Sequence, residues 1–377
     1  MNEPVRILQI VGIVCGGGVE NVVMNYYRNI DRSKVQFDFI VDGYNKSLIE
    51  DEVHTLGGNV YHVEPYKKNI FKYMYQIYKI IKKKQYIIVH SHMNSLGIFS
   101  LFPARLAGAK IRIIHNHTTA NKGEKIKYAL KSILRPLAQL FANQYFACSY
   151  LAARWMYGDE ENRKKHVKII NNAIELSRYA YDDCDRRKYR KIIGATDESI
   201  VIGHVGRFVF AKNHDFLIDV FYELHKIRRD SYLLLVGDGE LKNKIIKKVD
   251  SYGLSDYVKF FGLRNDVNKL YNAMDVFVLP SWFEGLPVVS IEAQANGLRC
   301  IFSNNVTNEC EISSTSFFLD IMLGASKWAE AIINLDTERN KNAALELQNA
   351  GFDIRKEAER LMIIYEKYVE LAKSAND

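Results

Sequence analysis

The chain is predicted to form two consecutive α/β units, each a parallel sheet wound on both faces by helices. Three observations carry this expectation. Its 377 residues exceed one ordinary α/β domain and suit two of roughly 150–200 residues. Short β-branched and aromatic runs alternate with amphipathic helical patterns from end to end. The alternation pauses once, near the middle, and then restarts.

The strand patterns begin with VRILQIVG and continue through VQFDFIV, NVYHV, QYIIVHSH, KIRIIHNH, NQYFACS and HVKII. These runs are rich in the residue types that fit a pleated, buried surface. Between them lie helix patterns such as NVVMNYYRNI, NIFKYMYQIYKIIKKK, NSLGIFSLFPARLAG and EKIKYALKSILRPLAQLFA. The stretch IELSRYAYDDCDRRKYRKIIGATDES is polar and tyrosine-rich, and reads as a linker with one helix. From Ser199 the pattern resumes with SIVIGHVG, DSYLLLVGDG, YVKFFG, DVFVLPS and LRCIFS. A final helix pattern, IRKEAERLMIIYEKYVELAKS, follows. The expected units are residues 1–178 and 179–352, both Rossmann-like, with the helix over 353–374 packing back on the first. No internal repeat suggests a solenoid.

Composition narrows the class. Hydrophobic residues make up 48% and charged residues 25%, so each half can bury a core. Six prolines exclude a proline-rich linker or tail. The five cysteines, Cys15, Cys148, Cys184, Cys300 and Cys310, form no C-x-x-C pair, which favours a reducing compartment over a zinc ribbon. The opening MNEPVRILQIVGIV has no basic lead and is not read as a signal peptide. No apolar run reaches the roughly 18–20 residues that spanning a bilayer needs. A cytoplasmic location is expected. Lys and Arg outnumber Asp and Glu by 25 to 14 through Glu175, then fall behind by 27 to 30. A basic first half suits an anionic partner, nucleic acid or a membrane surface, and also serves plain solubility.

Ligands of open parallel sheets bind beyond the carboxyl ends of the strands. The motifs there are the candidates for chemistry. CGGGVEN after the first strand lets backbone approach a ligand at a helix start. VGRFVFAKNH sets Arg207 and Lys212 five apart across a strand-to-helix loop, just after Gly206. Two fixed cations suit a departing diphosphate, at about 3 kcal/mol each. VGDGE, with Gly237, and FGLR, with Leu263, are loops able to wall a flat base. LPSWFEGLPVVSIEAQANGL carries Glu284, Gly285, Leu286 and Glu292. Eight positions of helix are a little over two turns, so the two carboxylates are expected to face roughly one side. Carboxylates accept from sugar diols, and N–H groups at Gly285 and Leu286 can hold a phosphate. Each motif alone also fits ordinary turn chemistry.

Taken in order, GGVE, VGR…K, VGDGE, FG and EGLPVVSIE resemble the retaining GT-B glycosyltransferases of family 4, which build bacterial capsule, exopolysaccharide and lipid-linked sugars. The last is the family's Glu-seven-Glu motif. IINNAIELSRY resembles the family's Asn-Gly-Ile-Asp segment, with Asn172, Ala173, Ile174 and Glu175. Two departures are Ala173 in place of Gly, and Gly297-Leu298-Arg299 where relatives show Gly-x-Pro. The resemblance covers nearly the whole chain. It implies two Rossmann-like domains facing a cleft, the first for the acceptor and the second for a nucleotide-sugar donor.

The resemblance also implies roles. Arg207 and Lys212 bind the donor diphosphate, Glu292 the ribose, and Glu284 lies near the transferred sugar. Gly206, Gly237, Leu263, Gly285 and Leu286 join Glu292 around the donor, and Gly17 and Gly18 line the cleft from the first domain. HNHTT matches the place of a family histidine near the reaction centre. His117 takes that role, with His115 second. Because side chains alternate along a strand, at most one of the two is expected to point into the cleft, and likewise for His90 and His92. The implied mechanism is front-face transfer with retention, a donor phosphate oxygen taking the acceptor's proton. For double displacement, the sequence offers no trusted carboxylate.

No metal or cofactor is expected. Asp183-Cys184-Asp185 resembles an Asp-x-Asp metal motif but falls in the linker, and the two His-x-His pairs are read as wrongly facing to share one ion. Lys122, Lys125, Lys127, Lys131 and Arg135 stand among apolar residues, and Lys67, Lys68, Lys72, Lys82, Lys83 and Lys84 add to the basic set. Such a face suits peripheral docking on the inner leaflet of the plasma membrane, although a helix on an α/β sheet needs the same apolar stripe. The expected acceptor is a lipid-linked saccharide or polysaccharide precursor, with no nucleic acid partner. A UDP-sugar is the family default, and GDP-mannose stays open. Two other readings are a sugar-nucleotide epimerase and a non-catalytic partner of another transferase. Retention of Arg207, Lys212, Glu284 and Glu292 together speaks against the second.

Overall fold

The structure is a computed structural model that describes residues 3–12, 18–118 and 125–374. The chain forms two compact units, Met1–Ala173 with Asp353–Asp377, and Ile174–Phe352.

The first unit carries a seven-stranded sheet of β1 (Val5–Gly12), β2 (Val35–Asp42), β3 (Val60–Val63), β4 (Ile88–Ser91), β5 (Ile111–Asn116), β6 (Gln144–Ala147) and β7 (Lys168–Ile169). Its spatial order is β3-β2-β1-β4-β5-β6-β7, parallel throughout. The helix Ile70–Lys84 shows how the sequence builds the surrounding layers. Asn69 caps it by accepting from the Lys72 N–H at 2.9 Å. Tyr73, Ile77 and Ile81 recur at four-residue spacing, so they share one face and are buried. Three lysines fill its last turn, where cations complement the helix dipole. Gln85 ends it in the left-handed region, at φ +54°. The helix Ile354–Ser374 belongs to this unit and buries Ala358, Leu361, Tyr365, Tyr368 and Ala372.

The second unit has six strands, β8 (Ile200–Val205), β9 (Ser231–Val236), β10 (Val258–Gly262), β11 (Val276–Leu279), β12 (Arg299–Ser303) and β13 (Ser316–Leu319). The order is β10-β9-β8-β11-β12-β13, again parallel. The order reverses direction between β8 and β11, the switch point where such sheets take ligands. β13 is absent from the strands expected above. It is four residues long and sits beyond a serine-rich stretch without periodicity.

The division between units falls at 173/174, five residues before the expected 178/179. The Ile174 N–H donates to the Phe352 carbonyl at 3.0 Å, and Ile174 and Leu176 are buried in the core of the second unit. The segment read as linker supplies that unit's first helix, Asp183–Ile193. Asp182 caps it, accepting from the Asp185 N–H at 2.7 Å, and Asp183 pairs with Arg187. The acidic triplet is thus a helix start.

This helix is fixed by a buried charge. Arg190 is 2% exposed and Asp275 6% exposed. The Arg190 guanidinium donates to Asp275 at 3.1 Å and to the carbonyls of Ala273, Thr196 and Ser199. Asp275 also accepts from Arg186 at 2.7 Å and from the Val201 N–H at 2.8 Å. Asp275→Ala leaves a buried guanidinium without its counter-ion and is expected to cost about 3–5 kcal/mol. Urea unfolding of the purified variant measures it. A loss of only ~1 kcal/mol, typical of an exposed pair, would mean that water already screens Arg190.

Candidate functional site

In the second unit, the loops after β8, β9 and β10 are stitched together by backbone. The Gly206 N–H donates to Val236 O at 2.9 Å, Gly237 to Gly262 O at 2.8 Å, and Phe208 to Asp238 O at 3.0 Å. Gly237 sits at φ +137°, and a Cβ there would lie 2.1 Å from the Gly206 oxygen. Only glycine permits that approach. The Lys212 stem folds over Gly206, its Cδ and Cε 3.2 Å from where a Cβ would stand. Lys212 is thereby carried back over Gly206, the residue before Arg207.

The loop after β11 supplies the opposing charge. Lys212 Nζ lies 2.7 Å from Glu284 Oε1, with side chains only 15% and 17% exposed. The Ser281 hydroxyl donates to the same oxygen at 3.2 Å, and the Trp282 N–H donates to Ala211 O at 2.8 Å, joining the two loops. Arg207 is exposed and makes no ion pair among the described residues. Beneath them His204 and His214 are neutral, because burial pushes their pKa values down to about 3 and about 2, and the Lys212 charge pushes the same way. Phe210 and Trp282 stack at the loop surface with ring centres 6.3 Å apart, a pair that the motif reading passed over.

Glu284 and Glu292 do not share a helix, which corrects the expectation of one common face. The helix is Val288–Ala295, and Glu284 stands in the loop before Pro287. Proline suits a first turn, not the continuation of a helix from Glu284. Glu292 accepts from the Tyr179 hydroxyl at 2.9 Å and from the Tyr271 hydroxyl at 2.8 Å. Burial raises its pKa and the two hydroxyls oppose that rise. Leu286 is buried in the core, Gly285 is half-buried, and Leu263 is 80% exposed at the end of β10. The structure therefore gathers Gly206, Arg207, Lys212, Gly237 and Glu284, and gives Glu292 two tyrosine partners that no spacing announced.

In the first unit, Gly17, Cys15 and Lys122 lie outside the described residues. Gly18 opens the helix Gly18–Asn29, and a Cβ on it would meet nothing within 4 Å. The four histidines gather in one buried cluster. His115 and His117 have ring centres 4.0 Å apart, His90 and His92 4.2 Å, and His90 and His115 5.2 Å. The one-per-pair expectation is corrected: residues two apart on a strand share a face. The judgement that the pairs face wrongly for one ion is corrected too, since ligand nitrogens of His90, His92 and His115 all lie within 4.8 Å of one another. Those rings instead take one another and their neighbours as partners. His90 Nε2 meets His115 Nδ1 at 3.1 Å, and His92 Nδ1 meets His117 Nε2 at 2.8 Å. His92 Nε2 meets Gln9 Oε1 at 2.8 Å, and His90 Nδ1 meets the Tyr365 hydroxyl at 2.7 Å. Burial holds all four rings neutral, His117 with a pKa pushed down to about 3.

Comparison with known proteins agrees with this architecture. A profile described as "Glycosyltransferase Family 4" matches residues 16–178, and one described as "Glycosyl transferases group 1" matches residues 185–346. The putative glycosyltransferase EpsF of Bacillus subtilis is 32% identical over 368 residues, 96% of each chain. The UDP-Gal:alpha-D-GlcNAc-diphosphoundecaprenol alpha-1,3-galactosyltransferase of Escherichia coli is 29% identical over 311 residues, 78% of this chain and 79% of that one. Among solved structures, Anabaena HepE in complex with UDP and glucose superposes with a TM-score of 0.79 at 18% identity, covering 96% of this chain and all of that one. The full-length match at 32% identity, with both profiles in order, establishes that the chain belongs to the GT-B glycosyltransferases of family 4.

Proposed function

We propose that this glycosyltransferase moves a sugar from a UDP-sugar to a lipid-linked saccharide or polysaccharide precursor, with retention and without a metal ion, in exopolysaccharide or capsule synthesis. The observation that carries the reading is the loop after β8 at the switch point of the second unit, which bears the exposed Arg207 and folds Lys212 back over Gly206, with Glu284 on Lys212. The departing diphosphate gains negative charge as the glycosidic bond breaks, and two cations held by backbone stitching need little rearrangement to meet it. Glu284 keeps Lys212 extended and neutralised until the diphosphate competes for it. It then remains as an acceptor for hydroxyls of the transferred sugar. Glu292, oriented by Tyr179 and Tyr271, keeps lone pairs for a ribose diol. The family resemblance assigns His117 a role near the transferred sugar. Donor and pathway are supported by the relatives' names: the Escherichia coli protein is named for UDP-Gal, Anabaena HepE is solved with UDP-glucose, and the Staphylococcus aureus relative CapH is named for capsular polysaccharide biosynthesis.

Purified protein in EDTA, given UDP- and GDP-sugars, is expected to be stabilised against heat by a UDP-sugar and to release UDP slowly. Arg207→Ala is expected to lower kcat/KM on the order of 10²–10³-fold. Proton NMR of the product with a saccharide acceptor is expected to show the donor's anomeric configuration. Failure of every nucleotide-sugar to bind at millimolar concentration would move the chain to the role of a non-catalytic partner. Activity restored only by added divalent ion would end the metal-free part of the reading.

Membrane docking is read from the helix Lys125–Phe141. Leu130, Ile133, Leu137 and Leu140 are exposed at helical spacing, at 53%, 65%, 42% and 64%, while Arg135 turns inward and donates to the Trp155 carbonyl at 2.6 Å. Ala138 on the opposite side is buried. No helix among the described residues is long and apolar enough to cross a membrane. An exposed apolar strip of this kind suits the interface of a lipid leaflet. Replacing Ile133 and Leu137 by Glu is expected to weaken binding to phosphatidylglycerol vesicles at least about tenfold, from two apolar side chains of roughly 1.5–3 kcal/mol each. Co-sedimentation reads this, and unchanged binding would place the docking face elsewhere.

A further inference from the structure

We infer that Gln9 fixes the tautomer of all four buried histidines in the first unit, and so leaves His117 with a bare lone pair at Nδ1. The assignment of a ligand to that lone pair rests on the proposed role of His117. The tautomer assignment does not.

A neutral imidazole has one N–H donor and one lone-pair acceptor, so a row of neutral rings must be donated along in one direction. Gln9 stands at the head of two such rows. Its Oε1 carries no proton and faces His92 Nε2 at 2.8 Å, so that nitrogen must bear the hydrogen. His92 Nδ1 is then an acceptor, and the hydrogen in its 2.8 Å contact comes from His117 Nε2. That leaves His117 Nδ1 as the open end, and no described residue takes it. In the second row, the Gln9 amide nitrogen donates to the Tyr365 oxygen at 3.3 Å, so the Tyr365 hydroxyl donates onward to His90 Nδ1 at 2.7 Å. His90 Nε2–H then donates to His115 Nδ1 at 3.1 Å. All four rings therefore carry their hydrogen on Nε2.

The two rows are locked to each other. Turning the Gln9 amide over would reverse every bond in both rows and move all four hydrogens to Nδ1. A state with one row reversed would set two donors, or two acceptors, face to face in a buried place. The open end of the second row is His115 Nε2, buried and without a partner. It borders a small cavity of about 10 Å³ lined by Gln9, His90, His92 and Tyr365, close to the space that one water needs.

The consequence is chemical selectivity. A lone pair at His117 Nδ1 accepts from a hydroxyl and repels a phosphate or carboxylate oxygen, which would need an N–H. His117 is thereby suited to a sugar hydroxyl and unsuited to the anionic part of a donor. Gln9 and Tyr365 are positioning residues for this purpose. His117 itself is held by its backbone N–H, which donates to Asn94 Oδ1 at 2.7 Å.

Long-range ¹H–¹⁵N correlation spectra of the ¹⁵N-labelled, ligand-free protein near neutral pH read the tautomer of each ring. All four rings are expected to be Nε2–H. Gln9→Met removes the head of both rows at similar volume, and is expected to leave His92 and His117 as mixtures of tautomers. Tyr365→Phe cuts only the second row, and is expected to release His90 and His115 while His117 stays Nε2–H. A wild-type ring found on Nδ1–H, or a His117 still wholly Nε2–H in Gln9→Met, would overturn the inference. If Gln9→Met does not fold, the wild-type and Tyr365→Phe spectra still decide. The spectra need no donor, so inactivity with these tautomers in place would count against the proposed transfer and not against the role of Gln9.

Discussion

Parallel pairing is the constraint from which the rest of each unit follows. Every strand pair in both sheets runs parallel. A parallel strand must be regained by a crossover, and the helices of those crossovers cover both faces of the sheet. Charged chemistry is thus gathered at the strand ends and the loops beyond them. In the first unit, His90 and His92 end β4 and His115 and His117 end β5, on neighbouring strands. In the second, Arg207 and Lys212 follow β8 and Glu284 follows β11, also neighbours. Residues more than seventy positions apart in the chain meet because pairing brings the ends of those strands side by side.

The same constraint explains what the sequence made legible. Parallel strands buried on both faces read as continuous apolar runs, so VRILQIVG and SYLLLVGDG are easily found. The glycine and charge motifs were legible because they interrupt such runs at fixed places. What stayed hidden depends on contacts across the chain. Gln9 sits inside an apolar run, on a strand whose neighbours cannot be read from order alone, and Tyr365 is more than three hundred residues away. Tyr179 and Tyr271 likewise meet Glu292 only through the fold. The histidines are visible in the sequence, but that residues two apart on β4 and on β5 meet across neighbouring strands follows only from the pairing of those strands. Spacing alone sets Glu284 and Glu292 on one helix, but the geometry of Pro287 starts that helix and leaves Glu284 in the loop before it.

The second unit treats its cations unequally. Lys212 is mostly buried, and its charge is met by Glu284 at close range. His204 and His214 beneath it stay neutral, so no further positive charge is stored in the loop. Arg207 is left exposed, where water solvates it. A buried cation without a counter-ion would push the loops apart, and a fully paired set would offer a diphosphate nothing. Pairing one and exposing the other keeps the folded loop stable while leaving one guanidinium ready for a bidentate contact. The Gly206–Gly237 approach makes this workable, because it fixes the backbone that carries both.

The first unit meets the opposite problem with neutral groups. Four imidazoles in one buried cluster would repel one another if charged, and burial removes that state at physiological pH. Neutral rings must still be donated along in one direction, with the buried His115 Nε2 at the end of its row left without a protein partner among the described residues. Gln9 can do this because an amide offers one acceptor and one donor of fixed sense, whereas a carboxylate would only accept and an ammonium only donate. A carboxylate at this position would draw protons onto His92 and restore the charge that burial removes. The residue type at position 9 thus follows from the demand that the cluster be neutral and fully directed, and that demand sets what His117 can offer at its open nitrogen.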